Sequence, residues 1–185
     1  MKELSLNILD ITENSVKAGA SLTSIIIDET ADQLTITITD NGCGMSEEIL
    51  KGVEDPFYTT RTTRKVGLGI PLLKMAAEMT SGSFKISSKS KEQFPNAHGT
   101  VVTALFNKNH LDFTPLGDVT ATITTLIQGH PDTDFLFIHN FGDNQVELDT
   151  RQMRDMLEGI PLNSYEVIKW AEDYLNEQYG SLYDI

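Results

Sequence analysis

Residues 34–45 read LTITITDNGCGM, and this stretch decides how the chain is interpreted. Its apolar residues alternate with threonine, the period-two pattern of a half-buried β-strand. The strand is predicted to end at Asp40, because the Asn-Gly that follows is a turn signal. Gly44 permits a positive φ and lets a planar ligand approach the backbone closely. The stretch therefore predicts a ligand pocket at a strand end, although ordinary hairpins and parts of calcium loops share the D-x-G-x-G pattern.

A helix is predicted over residues 3–18, with one apolar face that includes Leu4, Ile8 and Ile11. Four polar residues form a stripe on the opposite side, spaced by three, four and three positions: Asn7, Asp10, Asn14 and Lys17. A carboxylate, two amides and an ammonium are suitable groups for a magnesium and phosphate site. The alternative interpretation is a solvated helix face.

A second glycine-rich segment, KVGLGIPLLKMAAEMTSG, occupies residues 65–82. Gly67 and Gly69 precede a predicted helix, and Pro71 is suited to a first helical turn. A helix N-terminus offers unpaired N–H groups and the positive end of the dipole, which favour phosphate oxygens. The preceding TTRTTRK, residues 59–65, supplies three cations and four hydroxyls, for which a flexible solvated loop is the alternative interpretation.

Taken in this order, the segments resemble the GHKL superfamily of gyrase, Hsp-type chaperones, histidine kinases and MutL. Five ordered motifs within residues 4–106 carry the resemblance: the Asn-bearing helix ITENSVKAGA (11–20), similar above all to the MutL form, the first glycine box DNGCGM (40–45), the Phe-containing box DPFYTT (55–60), the second glycine box VGLGIPLLK (66–74) and the final strand HGTVVTALF (98–106). The resemblance implies a Bergerat-type ATP-binding fold. This is an α+β, two-layer sandwich in which a mixed, mostly antiparallel sheet carries helices on one face.

The resemblance also implies which residues bind ATP. Asp40 matches the acceptor of the adenine amino group, Gly42, Gly44 and Met45 would border the base, and Thr100 would hold it from the opposite side.

For the phosphate end, the resemblance implies that Asn14 is the Mg²⁺ ligand, an oxygen donor suited to a hard cation that keeps several waters. Residues 52–66 would form an ATP lid. The groups expected to serve the phosphates are Lys17, the lid cations Arg61 and Arg64, and the backbone N–H groups of Gly67, Leu68 and Gly69.

Asp10 stands where family ATPases usually have a glutamate general base, and its side chain is one methylene shorter. The shorter carboxylate could reach the attacking hydroxyl or water through a helix shift or an intervening water. It could equally fail, which would leave a nucleotide binder with little hydrolysis.

The C-terminal part of the chain is predicted to be a small extension over residues 111–185 that packs on an ATP domain of residues 1–110. A helix is expected over 116–128, followed by a hairpin that pairs DFLFIHN with QVELD. Asp149 or Thr150 is expected to cap a helix over 151–158. Asn163 and Glu166 form a capping-box pattern before a final helix, whose apolar residues are expected to be Val167, Trp170, Ala171 and Tyr174.

Composition predicts a cytoplasmic protein. The net charge of −13 argues against general binding to nucleic acid or anionic membranes, and the N-terminus has neither a signal peptide nor a spanning apolar run. The single cysteine, Cys43, is expected to pack near adenine. None of the four histidines lies in a long heptad-bearing helix, so none is predicted to be a phosphoacceptor.

Three functions are compatible with the sequence. The first is a protein kinase resembling the bacterial anti-sigma serine kinases. The second is an ATPase or a split histidine-kinase half that works with a separate subunit. The third is a nucleotide-gated interaction module in which ATP orders the lid. All three imply ATP, Mg²⁺ and a protein partner or phosphoacceptor of unknown identity. The apolar C-terminal elements and the family resemblance favour a homodimer, while the sequence leaves the oligomeric state open.

Overall fold

The computed structural model describes residues 3–53 and 68–183. These residues form six helices and six strands: α1 (Leu4–Lys17), β1 (Leu22–Glu29), β2 (Gln33–Asp40), α2 (Glu47–Gly52), α3 (Gly69–Met79), β3 (Ser83–Lys89), β4 (Gly99–Asn107), α4 (Val119–Gly129), β5 (Asp134–Phe141), β6 (Asn144–Asp149), α5 (Thr150–Leu157) and α6 (Tyr165–Tyr183).

The six strands form one sheet in the order β3-β4-β2-β1-β5-β6. Every neighbouring pair is antiparallel except β1 and β5, which run parallel with Ile25 opposite Phe137. The sheet is therefore mixed and mostly antiparallel, as predicted. Strand β2 ends at Asp40, as predicted, and its Leu34, Ile36 and Ile38 are buried.

One face of the sheet carries the core. Helices α3, α1, α4 and α6 follow one another across this face, and each contacts the next. Burial alternates along β1, β2 and β5, as a sheet covered on one face requires. The arrangement confirms the predicted α+β fold with helices on one face.

Helix α1 departs from its predicted division into an apolar and a polar face. Leu4, Ile8 and Ile11 are buried as expected, but Asn7 is also buried, with 2% of its surface exposed. Its Nδ2 atom has no hydrogen-bond partner among residues 3–53 and 68–183. The placement of Asn7 on the exposed stripe was therefore wrong, because α4 and α3 pack on both flanks of α1 and widen its buried face.

The segment beyond residue 110 continues the same sheet. The predicted hairpin is present as β5 and β6, and β5 pairs with β1 rather than forming a separate layer. Asp149 caps α5 by accepting a hydrogen bond from the Arg151 N–H, as predicted. The final helix begins at Tyr165, so the predicted capping box is one residue out of position. Trp170, expected on the apolar face, is 48% exposed.

A buried polar network links β5 to β1 and α6. His139 of β5 has 1% of its side chain exposed, and its Nε2 lies 3.1 Å from a Glu29 carboxylate oxygen that can only accept a hydrogen bond. Its Nδ1 lies 2.9 Å from the Tyr179 hydroxyl, and its ring packs against Phe141. Lys108 pairs with Glu29 at 2.6 Å. Burial lowers the pKa of His139 to about 4, although Glu29 opposes this shift, so the ring is neutral at pH 7.

No helix among residues 3–53 and 68–183 combines the length and the apolar character that crossing a bilayer requires.

Candidate functional site

The Asp40 carboxylate at the end of β2 is held by two hydrogen bonds. Oδ1 accepts the Gly42 N–H at 2.8 Å, which closes a local turn, and Oδ2 accepts the Ser15 hydroxyl of α1 at 2.8 Å. One contact is local and the other reaches across to a helix, so the carboxylate has a fixed position and orientation. A carboxylate oxygen has two lone pairs, and among the described residues no further donor uses the second lone pair of either Asp40 oxygen.

The glycine turn after Asp40 is fastened to the end of α1. The Cys43 N–H donates to the Ala18 carbonyl at 2.9 Å. Gly42 is buried here, and a Cβ at this position would lie 2.9 Å from the Ala18 Cβ. From the other side, His98 Nδ1 lies 2.6 Å from the Gly42 carbonyl oxygen, which makes Nδ1 the protonated nitrogen. The turn is a packed element rather than a free loop.

Two glycines allow backbone segments to approach each other where a side chain would not fit. Gly44 has φ +65°, and a Cβ there would lie 1.9 Å from the Lys89 carbonyl oxygen. Gly99 has φ +135°, and its Cβ would lie 2.0 Å from the Asp40 carbonyl oxygen. Both positions require glycine on two independent grounds, the φ angle and the space. Gly44 and Gly99 thus allow the end of β3 and the start of β4 to pack against the glycine turn.

A short hydrogen-bonded chain links β4 to Met45. Thr100 is directly opposite Asp40 in the β2–β4 pairing. Its hydroxyl lies 2.9 Å from the Ser88 hydroxyl, which also donates to the Gly99 carbonyl at 3.0 Å. Ser88 in turn accepts the Met45 N–H at 2.8 Å. The predicted residues Asp40, Thr100 and Met45 are thereby brought to one end of the sheet.

The polar residues of α1 differ in their surroundings. Asp10 is exposed, Asn14 is half-buried, and neither side chain has a hydrogen-bond partner among residues 3–53 and 68–183. Lys17 is 66% exposed and lies 3.6 Å from Glu13, whose other carboxylate oxygen lies 2.6 Å from His130 Nε2. Asp10 and Asn14 are therefore available to a ligand, while Lys17 has a weak competing pair.

The N-terminus of α3 lies against α1. Gly69 is its first residue and is buried, and a Cβ at that position would lie 3.0 Å from the Asp10 Cβ. Pro71 occupies the first turn, as predicted, and the exposed Leu68 precedes the helix without a side-chain cap. The first-turn N–H groups of a helix have no intrahelical acceptor. This N-terminus therefore presents donors beside the carboxylate of Asp10.

Several predicted residues lie outside the described parts of the chain. These are Arg61, Arg64 and Gly67, together with the DPFYTT box and residues 54–66 of the predicted lid.

The chemistry around Asn14 fits a magnesium ion held jointly with phosphate. Within residues 3–53 and 68–183 there is no cluster of three or more His, Cys, Asp or Glu side chains that would hold a metal alone. Magnesium commonly uses one or two protein oxygens plus waters and substrate phosphates. The half-buried Asn14, whose amide oxygen accepts no hydrogen bond from a described residue, suits that mode of binding.

Three residues that fix this geometry were not found from the sequence: Ser15, Ser88 and His98. Ser15 lies in the quoted helix motif and His98 in the quoted strand motif, but neither stood out as a ligand-binding type. Their contacts join residues that are 25, 43 and 56 positions apart. These contacts are therefore visible only in the folded structure, once the helix and the strands are placed side by side.

Residues 2–110 match the family model described as histidine kinase-, DNA gyrase B- and HSP90-like ATPase. The match covers more than half of the chain, and the chain belongs to this GHKL family. It therefore carries a histidine-kinase-like ATP-binding domain, as the motif order predicted.

Two curated relatives are kinases of Bacillus subtilis (strain 168). Sensor histidine kinase YvrG is 30% identical over 101 residues, 51% of this chain and 16% of that protein. Sporulation kinase C is 31% identical over 90 residues, 49% of this chain and 21% of that protein. The chain thus spans about a fifth or less of the length of these relatives.

Among solved structures, the Aquifex aeolicus MutL ATPase domain complexed with ADP shares the fold with a TM-score of 0.53 and 14% identity, covering 85% of this chain and 70% of that one. An N-terminal domain of a DNA repair protein has a TM-score of 0.56 at 15% identity, covering 80% of this chain and 53% of the other. These likenesses concern the fold alone.

Proposed function

We propose that the chain binds Mg-ATP between α1, the glycine turn and the N-terminus of α3, and acts on a partner protein as a regulatory kinase or ATPase. The observation that carries the proposal is the Asp40 carboxylate, fixed by Ser15 and Gly42 with a lone pair on each oxygen that no described residue uses. A fixed carboxylate accepts a hydrogen bond from the adenine amino group and disfavours bases that present a carbonyl there. Gly42, Gly44 and Met45 would border the base, and Thr100 would hold its opposite side.

At the phosphate end, the proposal rests on the proximity of Asp10 to the N-terminus of α3. Gly67, Leu68 and Gly69 would donate backbone N–H groups to phosphate oxygens. Asn14 would hold the magnesium ion, which neutralises phosphate charge when bound. Lys17, Arg61 and Arg64 would add positive charge, and Lys17 would exchange its pair with Glu13 for a phosphate.

In the catalytic form of the proposal, Asp10 is the general base. Its carboxylate would accept the proton of the attacking hydroxyl, from a partner side chain or from water, as the γ-phosphoryl group is transferred. Because Asp10 is exposed beside Gly69, there is room for the attacking hydroxyl or water next to its carboxylate.

A second function, a nucleotide-gated interaction module with little turnover, is favoured by a specific observation. Asp10 makes no hydrogen bond or ion pair with any described residue, so no described group orients it as a base. It is also shorter than the glutamate that the family resemblance leads one to expect. In this function, nucleotide binding would change the affinity for a partner without chemistry.

The deciding experiment follows γ-labelled phosphate after purified protein receives Mg-ATP, alone and with lysate from its own cell. Label on a protein band supports a kinase and identifies its substrate by mass, whereas free phosphate alone supports an ATPase. Intact, bound ATP supports the interaction module. Asp10→Asn is expected to keep nucleotide binding and to lose turnover by about a hundredfold or more.

The matched control is Asp132→Asn, which removes an exposed carboxylate beyond the end of α4. Its turnover should equal that of the wild type. Unchanged turnover in Asp10→Asn would remove Asp10 from the mechanism.

The proposal also covers the location, domain organisation and oligomeric state of the protein. The protein would work in the cytoplasm, without nucleic acid or membrane, as an ATP domain of residues 1–110 with an extension over 111–185. A homodimer is one expected assembly. Sedimentation of the purified chain with and without Mg-ATP tests this state.

A further inference from the structure

We propose that a groove between α5 and α6, far along the chain from the nucleotide motifs, binds an amphipathic helix of a partner protein that carries Lys and Arg beside its apolar face. The groove has a volume of about 550 Å³. It is lined by apolar side chains of both helices and the loop between them, with two polar residues among them: Met153, Met156, Leu157, Ile160, Val167, Trp170, Ser164 and Glu166.

The groove has buried side chains at its bottom and exposed side chains at its rim. Met153 and Val167 are buried, whereas Met156 is 68% exposed and Ile160 and Trp170 are each about half exposed. Three large apolar side chains around one groove expose a surface that folding leaves uncovered. Methionine side chains adapt their shape to different apolar partners, which suits a docking surface.

The charge around the groove selects the partner. Residues 111–185 contain fourteen acidic and three basic residues, a net charge of −11, whereas residues 1–110 carry a net charge of −2. All three basic residues are already paired within the fold, each at 2.7 Å: Arg151 with Asp149, Arg154 with Asp134 and Lys169 with Asp173.

Two acidic groups at the groove are not compensated in this way. Glu166 lines the groove, and Glu158 follows the lining residue Leu157 just after α5. Both are exposed and neither forms an ion pair with a described residue. An apolar groove with an acidic rim is complementary to an apolar helix face flanked by cations.

The same charge argues against a second copy of this chain as the occupant. Two such surfaces would bring like charges together, which is unfavourable when they are desolvated.

A small molecule is a poorer match for the groove. Ligand pockets usually contain several convergent polar groups, and only Ser164 and Glu166 are polar among the lining residues. A groove between two helices suits a third helix with apolar residues at i, i+3, i+4 and i+7.

The chain contains a single tryptophan, and it lines the groove. Trp170 emission therefore reports directly on occupancy. The probes are tryptophan-free helical peptides of about 18 residues, or five turns, with the same apolar face and either Lys/Arg or Glu flanks. The experiment uses the full chain without nucleotide, so its outcome is independent of the proposed ATP site.

The basic peptide is expected to shift Trp170 emission to the blue with saturation, and to bind at least about tenfold more tightly than the acidic peptide. Added salt should reduce that preference. Met156→Glu should weaken binding at least about tenfold. The matched control Leu111→Glu, at a position that is 97% exposed and outside the groove, should bind like the wild type.

A charge exchange sharpens the test. The double variant Glu158→Lys with Glu166→Lys should lose affinity for the basic peptide and gain affinity for the acidic one. The proposal is overturned by equal binding of the two peptides, by no change in Trp170 emission with either, or by a peptide-free dimer that already buries Trp170. Circular dichroism of each variant confirms that it is folded.

Discussion

Two regions of the molecule, the end of β2 and the surface formed by α5 and α6, are specialised in opposite ways. At the end of β2, the turn, the helix end and β4 are held together by polar contacts and by glycines that no other residue could replace, as at Gly44 and Gly99. Around α5 and α6, the distinctive feature is instead an uncovered apolar groove with an acidic rim. Gly180 of α6, in this second region, has no atom of a described residue within 4 Å of an added Cβ.

The two regions are therefore constrained differently. The first holds a backbone geometry by close approach, and its residues match the motifs of a family. In the second, the proposed docking surface needs only exposure and charge, which many sequences would satisfy. The comparison can be tested by changing matched residues in the two regions.

The largest expected effect comes from glycine replacement. Gly99→Ala should lower the free energy of unfolding by about 3 kcal/mol or more, because it adds backbone strain and overlaps the Asp40 carbonyl. Gly180→Ala, within α6, should change it by no more than about 1 kcal/mol and in the stabilising direction. Urea unfolding of both variants measures the difference, and equal effects would remove the distinction between the regions.

The next effect concerns the buried His139, which links Glu29 of β1 to Tyr179 of α6. Because burial lowers the pKa of His139 to about 4, protonation is easier in the unfolded chain, where the pKa is about 6.5. The contribution of the neutral ring is fully present above about pH 6.5 and is lost as the pH falls toward about 4. This loss amounts to about 2 to 3 kcal/mol.

The measurement is urea unfolding of the wild type and His139→Gln between about pH 7.5 and about pH 4.5. The variant should be less stable at high pH, because Glu29 and Tyr179 lose their shared partner. The two stabilities should converge as the pH falls. Parallel pH profiles would mean that His139 is not a neutral link between the regions.

The smallest effect concerns the positioning of Asp40. Ser15→Ala removes one of the two hydrogen bonds that fix the carboxylate, so ATP affinity should fall by about two- to tenfold, the equivalent of about 0.5 to 1.5 kcal/mol. Ser5→Ala is the matched control, since Ser5 is also buried in α1 but bonds to Glu3. Isothermal titration calorimetry compares them, and indistinguishable affinities would exclude a positioning role for Ser15.

The parts of the fold that depend on local pattern were predictable from the sequence. The alternation of LTITIT gave β2 and its end at Asp40, the 3.6-residue period gave α1, and the turn residues gave the β5–β6 hairpin. Turn and helix signals lie within a few residues of one another, so no tertiary information is needed to interpret them.

The parts that depend on pairing between distant residues were not predictable. The parallel pairing of β1 with β5 joins residues more than 100 positions apart, and no periodicity selects that partner. The burial of Asn7 and the exposure of Trp170 likewise follow from which helices are neighbours. In the candidate site, the motifs supplied Asp40 and Thr100, but the Ser15 and Ser88 contacts arise only once α1, β3 and β4 are assembled.

Asp40 is proposed to select adenine, and nucleotide-induced thermal stabilisation of Asp40→Asn beside Asp132→Asn tests this selection directly. Asparagine still accepts the Gly42 N–H, but its amide would place a donor against the adenine amino group. With Mg-ATP at about a hundred times its dissociation constant, the wild type and Asp132→Asn should gain about 2.7 kcal/mol. Asp40→Asn should gain almost nothing, and Mg-GTP should stabilise none of the three proteins. An undiminished shift in Asp40→Asn would show that Asp40 does not select adenine.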